Sequence, residues 1–325
     1  MIGVLSYAVF FTTMASIFAI AVLGLNLHWG NAGLFNGGVV AFFGAGAYGT
    51  LILAAAPQAN QLGGFLWPWP FALMGGMVLA ALMAWVVGVL TLRLRHDYLA
   101  IATFGVAVAF ESLVRNAHWL SGGALGVRGF TRPLRSAVAD PLIYNIGFLT
   151  VVLACLIATY LFLRRLVTSP FGRLLRAIRE DEEAARSLGK SPARIRLTAF
   201  VTGAVVMGLA GGLYGSFYAF VSPQDVLPVL TFQIWAMLIV GGAGNMRGAV
   251  AGAFLVWLAW TYSGFLLSRH APAQWQLYTG SIQFILIGSV IVGMLLWRPQ
   301  GLFPERLVVS QSGRGDAHAP PKDRE

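Results

Sequence analysis

The chain has 325 residues, of which 58% are hydrophobic and only 10% are charged, and its mean hydropathy is +0.74. A soluble globular domain carries about 25% charged residues, so this composition excludes a soluble protein and predicts one that crosses a membrane many times. The formal charge of +10 lies in segments between apolar runs. The enrichment of Lys and Arg in cytoplasmic loops accounts for it without nucleic acid as a partner.

Nine apolar runs are predicted to form membrane-spanning helices, because a span needs about 20 apolar residues, with a range of about 17–25. The expected fold is therefore an all-α polytopic bundle, a single transmembrane domain over residues 1–305, with residues 306–325 as a polar, disordered tail. The run 229–243 is short and ends in glycines, which is typical of a re-entrant or broken helix buried in protein. The runs are 5–27, 33–56, 65–92, 98–114, 142–163, 198–221, 229–243, 248–268 and 280–297.

The distribution of positive charge predicts the orientation of the bundle. If residues 164–197 are cytoplasmic, the segments on their side of the membrane contain 17 of the 22 Lys and Arg. This bias predicts an N-terminus outside and a C-terminus inside. The loop 115–141 opposes it, because four arginines then lie on the outer side.

Residues 164–197 form a charged segment between two apolar runs and hold nine of the 22 Lys and Arg. Ser169-Pro170 is a typical helix start, and Gly189 is a typical helix end. Ser191-Pro192 then begins a second helix. The segment is thus predicted to be a helix, a glycine elbow and a further helix, with one apolar stripe at helical spacing. The stripe consists of Leu174, Leu175, Ile178, Ala185 and Leu188.

Two interpretations of this segment are open. A helix bearing Arg173, Arg176 and Arg179 could lie on anionic membrane lipid. Four consecutive acids at 180–183 would be repelled by such lipid, whereas a protein partner accommodates mixed charge. The charge pattern favours a protein partner in the aqueous phase.

Glu183-Ala184-Ala185 followed after three residues by Gly189 resembles the EAA–x3–G motif of ABC-importer permeases. The wider run Arg176–Pro192, which includes Glu182, resembles the branched-chain amino acid (LivM-like) permease family. Further matches to that family occur in the same order along residues 20–305. They are Gly33-Leu34 with 41–48, Arg93 to Ile101, 208–214, Gly241-Gly242-Ala243-Gly244 and Pro299-Gln300-Gly301-Leu302.

The resemblance implies a transport subunit of the bacterial inner membrane that is not itself an enzyme. Its EAA segment would dock, as a coupling helix, on two cytoplasmic ABC ATPase subunits that bind ATP and Mg²⁺. A second, related permease would complete the membrane channel, and a periplasmic solute-binding protein would deliver the cargo. The sequence contains no G-x-x-x-x-G-K-[ST] motif, so the nucleotide is expected in separate chains.

Three positions depart from the family pattern and leave the cargo open. Val39 stands where the family often has His or Gln, Leu125 where it often has Asp or Asn, and Ala249 where it has Pro. A branched-chain or other amino acid is the expected cargo. Urea and amide importers share the framework and are the alternative.

Candidate substrate-path residues are Asn36, Gly37 and Gly38, where exposed backbone could meet a zwitterionic solute. Close helix packing through small residues is the alternative explanation of these glycines and of those at 44, 46 and 49. Glu111 is the fourth candidate for the substrate path, because an acid inside a predicted span is energetically costly and indicates a proton or substrate role. Its spacing from Arg115 favours the alternative of a helical ion pair.

Two other classes of function are alternatives. An ion-coupled secondary transporter would need several intramembrane acids or paired broken helices, and only Glu111 and the break near 229–244 offer these. A membrane enzyme would need a nucleophile, base or metal ligands at one depth. We predict no catalytic residues and no metal site, because the five histidines are scattered among predicted loops and Cys155 is the single cysteine.

Overall fold

The computed structural model describes residues 2–57, 63–94, 96–130, 132–133, 135, 140–270 and 278–305. Over these residues it is a helical bundle, and the predicted tail at 306–325 lies outside them. The helices are α1 Ile2–Asn26, α2 Val39–Ala54, α3 Trp69–Thr91, α4 His96–Asn116, α5 His118–Ser121, α6 Pro141–Thr168, α7 Pro170–Glu180, α8 Glu182–Ser187, α9 Pro192–Tyr218, α10 Val229–Gly241, α11 Met246–His270 and α12 Thr279–Trp297.

Seven of the described helices are long and apolar enough to cross a membrane. Two further apolar helices, α2 and α10, have 16 and 13 residues. At about 1.5 Å per residue these two are roughly 24 and 20 Å long, which is shorter than a hydrocarbon core of about 30 Å. The rest of the bundle buries 14 of the 16 residues of α2 and nine of the 13 residues of α10.

The centre of the bundle is formed by α1, α2 and α9. The middle of α1 is fully buried between α6, α9 and α11. Helices α2 and α9 cross so closely that a Cβ at Gly46 would overlap the carbonyl oxygen of Gly208, and one at Gly211 would overlap that of Phe43. Close packing through small residues is therefore confirmed for the glycines within α2.

The prediction of a loop at 28–32 and a continuous helix from residue 33 was wrong. Helix α1 continues into a π-helical turn, Leu27–Asn31, and α2 starts only at Val39. Residues 32–38 between them are non-helical and largely buried. Such backbone is tolerated at membrane depth because protein groups, rather than lipid, satisfy it. We call residues 27–38 the break.

Contacts between the segments that join the helices distinguish the two ends of the bundle. At one end, Arg179 of α7 bonds to Gly30 and to Glu305, and the amide of Gly244 donates to Asn26. At the other end, Val127 pairs with Val221 and the amide of Ala56 donates to Gly129. Helices α2 and α10 each run from one of these ends to the other.

Candidate functional site

Residues 169–191, which join α6 to α9 and which we call the connector, project from the first of these ends and contain the two short helices α7 and α8. Pro170 begins α7, and Leu175 and Ile178 are buried against the bundle. Gly189 has φ +73 and its amide donates to Arg186 O at 2.9 Å, which ends α8 in the left-handed conformation that glycine favours. Pro192 then starts α9, so the predicted elbow is present.

The connector departs from the prediction at Asp181, where the helix breaks. Asp181 is extended (φ −147, ψ 104), and its carboxylate accepts from Ala184 N at 2.9 Å as the N-cap of α8. This interruption at Asp181 changes the direction of α8 relative to α7, so the expected apolar stripe is not continuous. Ala185 is buried, but Leu188 is 78% exposed.

Two of the four acids have roles inside the connector. Asp181 is the cap, and Glu182 pairs with Arg186 at 2.8 Å and with Arg196 at the start of α9. An intramolecular role therefore explains two of the four acids without a partner protein. Glu183 and Ala184 remain exposed. Together with Leu188 they form the outer face of α8.

A network of buried polar groups holds the break. His28 is fully buried, with Nε2 bonded to Phe200 O at 2.8 Å and Nδ1 to Asn36 Nδ2 at 3.1 Å. Since the Phe200 carbonyl can only accept, Nε2 carries the proton and Nδ1 accepts from Asn36. His28 is thus a core residue and not the loop histidine that the sequence predicted.

Asn36 connects this network to two more helices. Its Oδ1 accepts from Gly38 N at 2.8 Å and its backbone oxygen from Trp235 Nε1 of α10 at 2.9 Å. Gly37 N donates to Thr103 Oγ1 of α4 at 2.9 Å. The backbone that was expected to be exposed to a solute is therefore hydrogen-bonded within the protein. Of the four predicted path residues, Asn36, Gly37 and Gly38 lie together in the break, and Glu111 lies elsewhere.

A cavity of about 620 Å³ borders the break, α4, α10 and α12. Its lining is almost entirely apolar, and five of its 14 residues are aromatic. Phe35 stacks on Trp235 with ring centroids 4.3 Å apart, and Trp29 meets both rings edge-on. Gly37 is in the wall, whereas Asn36 and Gly38 are buried behind it. The aromatic residues of the lining are Trp29, Phe35, Phe104, Phe232 and Trp235.

The remaining sequence candidates lie elsewhere. Glu111 accepts from Arg115 Nε at 2.6 Å on α4, as the spacing indicated, and does not line this cavity. Val39 is fully buried at the start of α2, and Leu125 is 64% exposed at the other end of the bundle. Among the described residues no group of three His, Cys, Asp or Glu side chains could hold a metal ion.

A bundle of apolar helices with a buried break, an open apolar cavity beside that break and one charged connector is the architecture of a multi-pass membrane transport subunit. Residues 7–296 match the family described as "Branched-chain amino acid transport system / permease component". The chain belongs to this family of ABC-importer permease components, and it is a multi-pass protein of the bacterial inner membrane.

Individual relatives agree with this assignment. The chain is 33% identical over 313 residues to the high-affinity branched-chain amino acid permease protein LivM of Salmonella typhimurium and of Escherichia coli, covering 90% of this chain and 69% of each relative. It is 24% identical to a probable LivM of Methanocaldococcus jannaschii, covering 90% and 92%. The autoinducer 2 permease LsrC of Yersinia pseudotuberculosis is 25% identical, covering 70% and 60%. No solved structure matches the chain.

Proposed function

We propose that this chain carries a branched-chain or similarly apolar amino acid across the inner membrane, with α8 as its ATPase-docking helix. Two cytoplasmic ATPase subunits bind ATP and Mg²⁺, a second related permease completes the channel, and a periplasmic binding protein supplies the cargo. The chain performs no chemistry of its own. It converts the motion of the ATPases into opening and closing of a path.

The exposed outer face of α8 is the observation that supports docking. Glu183, Ala184 and Leu188 present a negative, a small and a large apolar side chain on a helix that the rest of the connector holds rigidly. Asp181 caps the helix and Glu182 fixes it to α9. A protein interface can accept both an apolar and a charged side chain, at its core and its rim, whereas an anionic bilayer would repel Glu183.

The cavity lining supports an apolar amino acid rather than urea or an amide. Aromatic rings of Trp29, Phe35 and Trp235 line it, and the polar groups nearby are already hydrogen-bonded to one another. Urea and small amides have little apolar surface that this wall could bury. The ammonium and carboxylate of an amino acid would stay hydrated in the aqueous path, because burying them without partners is costly. A branched aliphatic side chain gains from burial against the wall.

Charge reversal on α8 tests the docking role. Glu183→Lys should abolish co-purification of the ATPase while the permease still inserts, and Gly189→Pro should do the same because proline cannot adopt a positive φ. Glu180→Lys, an exposed acid at the end of α7, is the matched control and should retain the ATPase. Unchanged ATPase association in Glu183→Lys and Gly189→Pro would contradict the assignment.

The cargo is tested on the cognate binding protein. Leucine, isoleucine and valine should raise its thermal unfolding midpoint, whereas urea and acetamide should not. Uptake in vesicles that is driven by a proton gradient without the ATPase would instead support the secondary-transporter alternative.

A further inference from the structure

Arg179 lies where the connector meets the membrane-buried part of the chain. It sits on the last turn of α7, two residues before the Asp181 break. One guanidinium nitrogen, Nη1, donates to the carbonyl oxygen of Gly30 in the π-helical turn. The aliphatic stem passes over Gly33, where an added Cβ would lie 2.8 Å from Arg179 Cγ. Gly33 also has φ +66, so both its space and its conformation require glycine.

Glu305 holds the same guanidinium from the opposite side. Its carboxylate accepts from Nη1 and Nη2 of Arg179 at 3.2 Å each, and both side chains are about three-quarters buried. A two-nitrogen contact of this kind fixes the orientation of the guanidinium plane as well as its position. Arg179 is therefore kept aimed at Gly30 rather than free in solvent.

The segment that carries Glu305 is itself anchored to α10. Leu302 N donates to Val240 O and Phe303 N to Gly241 O, each at 3.0 Å, which satisfies the free carbonyls at the end of that helix. The two late sequence motifs, 241–244 and 299–302, thus pack against each other. Gly244 N also donates to Asn26 Oδ1 at 2.8 Å, which brings the end of α1 into the same cluster.

The π-helical turn connects this cluster to the cavity. Gly30 and His28 are two residues apart in the turn. His28 accepts a hydrogen bond from the Asn36 side chain, and the backbone oxygen of Asn36 accepts one from Trp235 in the cavity wall. π-Helical turns are rare and occur frequently at functional sites. A change in the position of Gly30 would therefore be carried through direct contacts to Trp235.

We infer that Arg179 is the positioning residue that transmits movement of the docking connector to the break and the cavity wall, which is an inference resting on the proposed function. The residue does not touch the ATPase face of α8. It sets the geometry of the π-helical turn through Gly30, and the turn sets the position of Asn36 and Trp235. Loss of the contact between Arg179 and Gly30 should leave ATPase docking intact but uncouple it from the opening and closing of the transport path.

The test compares transport with ATP hydrolysis in proteoliposomes containing the whole importer. Arg179→Met keeps the stem but removes the donors. We expect wild-type co-purification of the ATPase, continued ATP hydrolysis, and a fall of roughly tenfold in solute moved per ATP, as for loss of one position in a coupling network. Arg173→Met, an exposed arginine of the same helix, is the matched control and should leave the ratio unchanged.

A second variant guards against misfolding of the first. Gly33→Ala pushes on the arginine stem without removing a charge and should lower the same ratio. If transport per ATP is unchanged in both variants, the inference is wrong. If Arg179→Met loses the ATPase, Arg179 belongs to the docking surface, and the inference is also wrong. If the wild-type chain itself binds no ATPase, the proposed function fails first.

Discussion

Single glycines determine how closely the central helices approach. The Cβ that alanine would add at Gly46 overlaps a backbone oxygen of α9, and a backbone atom in a helix cannot rotate away as a side chain can. At Gly105 of α4, by contrast, nothing lies within 4 Å of the same atom. The same substitution therefore has opposite consequences at two helical glycines.

We predict that Gly46→Ala destabilises the purified protein and that Gly105→Ala does not. Overpacking of this kind costs about 1–3 kcal/mol, whereas alanine in an open helix position gains up to about 1 kcal/mol over glycine. Thermal unfolding in detergent, followed by size-exclusion fluorescence, should show a lower midpoint for Gly46→Ala and an equal or higher midpoint for Gly105→Ala. Equal midpoints for the two variants would refute the packing argument.

At this scale the sequence identifies short-range partners and misses long-range ones. The pair Glu111 and Arg115 follows from helical spacing alone. His28 was expected in a loop, because its partner Phe200 is 172 residues away. Neither interpretation of the charged segment, lipid contact or a protein partner, included the pairing of Arg179 with Glu305, because Glu305 is separated from it by 126 residues. Neither distance leaves a periodic signal.

The starts of α6 and of the three helices that follow it are set by local side chains. Asp140, Ser169, Asp181 and Ser191 precede α6, α7, α8 and α9, and Pro follows three of them. Only Asp140 and Asp181 also cap through a side-chain hydrogen bond. The break at Asp181 was not predicted, because Glu182 and Glu183 are good helix formers and continued the pattern.

We predict that capping by Asp181 needs its oxygen and not its charge. Asp181→Ala removes the acceptor of Ala184 N, which is worth about 1 kcal/mol, and should speed hydrogen exchange of residues 182–188 roughly fivefold. Asp181→Asn keeps a capping oxygen and should exchange like the wild type. Rapid exchange in both variants would instead show that the negative charge holds α8.

Elements were predictable where apolar runs are long and were not where helices are interrupted. The long runs became α1, α3, α4, α6, α9, α11 and α12 within a few residues. The break at 27–38 is more polar and richer in glycine than α2, since it contains His28, Asn31 and Asn36 as well as four glycines. This composition indicates an interruption, but its length depends on hydrogen bonds from Thr103 and Trp235, which lie on other helices and leave no signal within the segment.

The molecule as a whole has two chemically different ends. The end that contains Arg179, Gly244 and Glu305 carries the charged connector and the polar turn after α10. The opposite end carries the short pairing of Val127 with Val221. Positive charge predicts that the first end is cytoplasmic, and docking of an ATPase requires the same orientation.

Cysteine labelling tests both the orientation and the number of passes. In a Cys155→Ser background, Ser187→Cys and Arg247→Cys place exposed thiols on α8 and at the start of α11, and Leu125→Cys places one at the other end. A membrane-impermeant maleimide should react with Leu125→Cys in right-side-out vesicles and with the other two in inside-out vesicles. Since α9 and α10 lie between residues 187 and 247, labelling of these two from opposite sides would show that only one of the helices crosses.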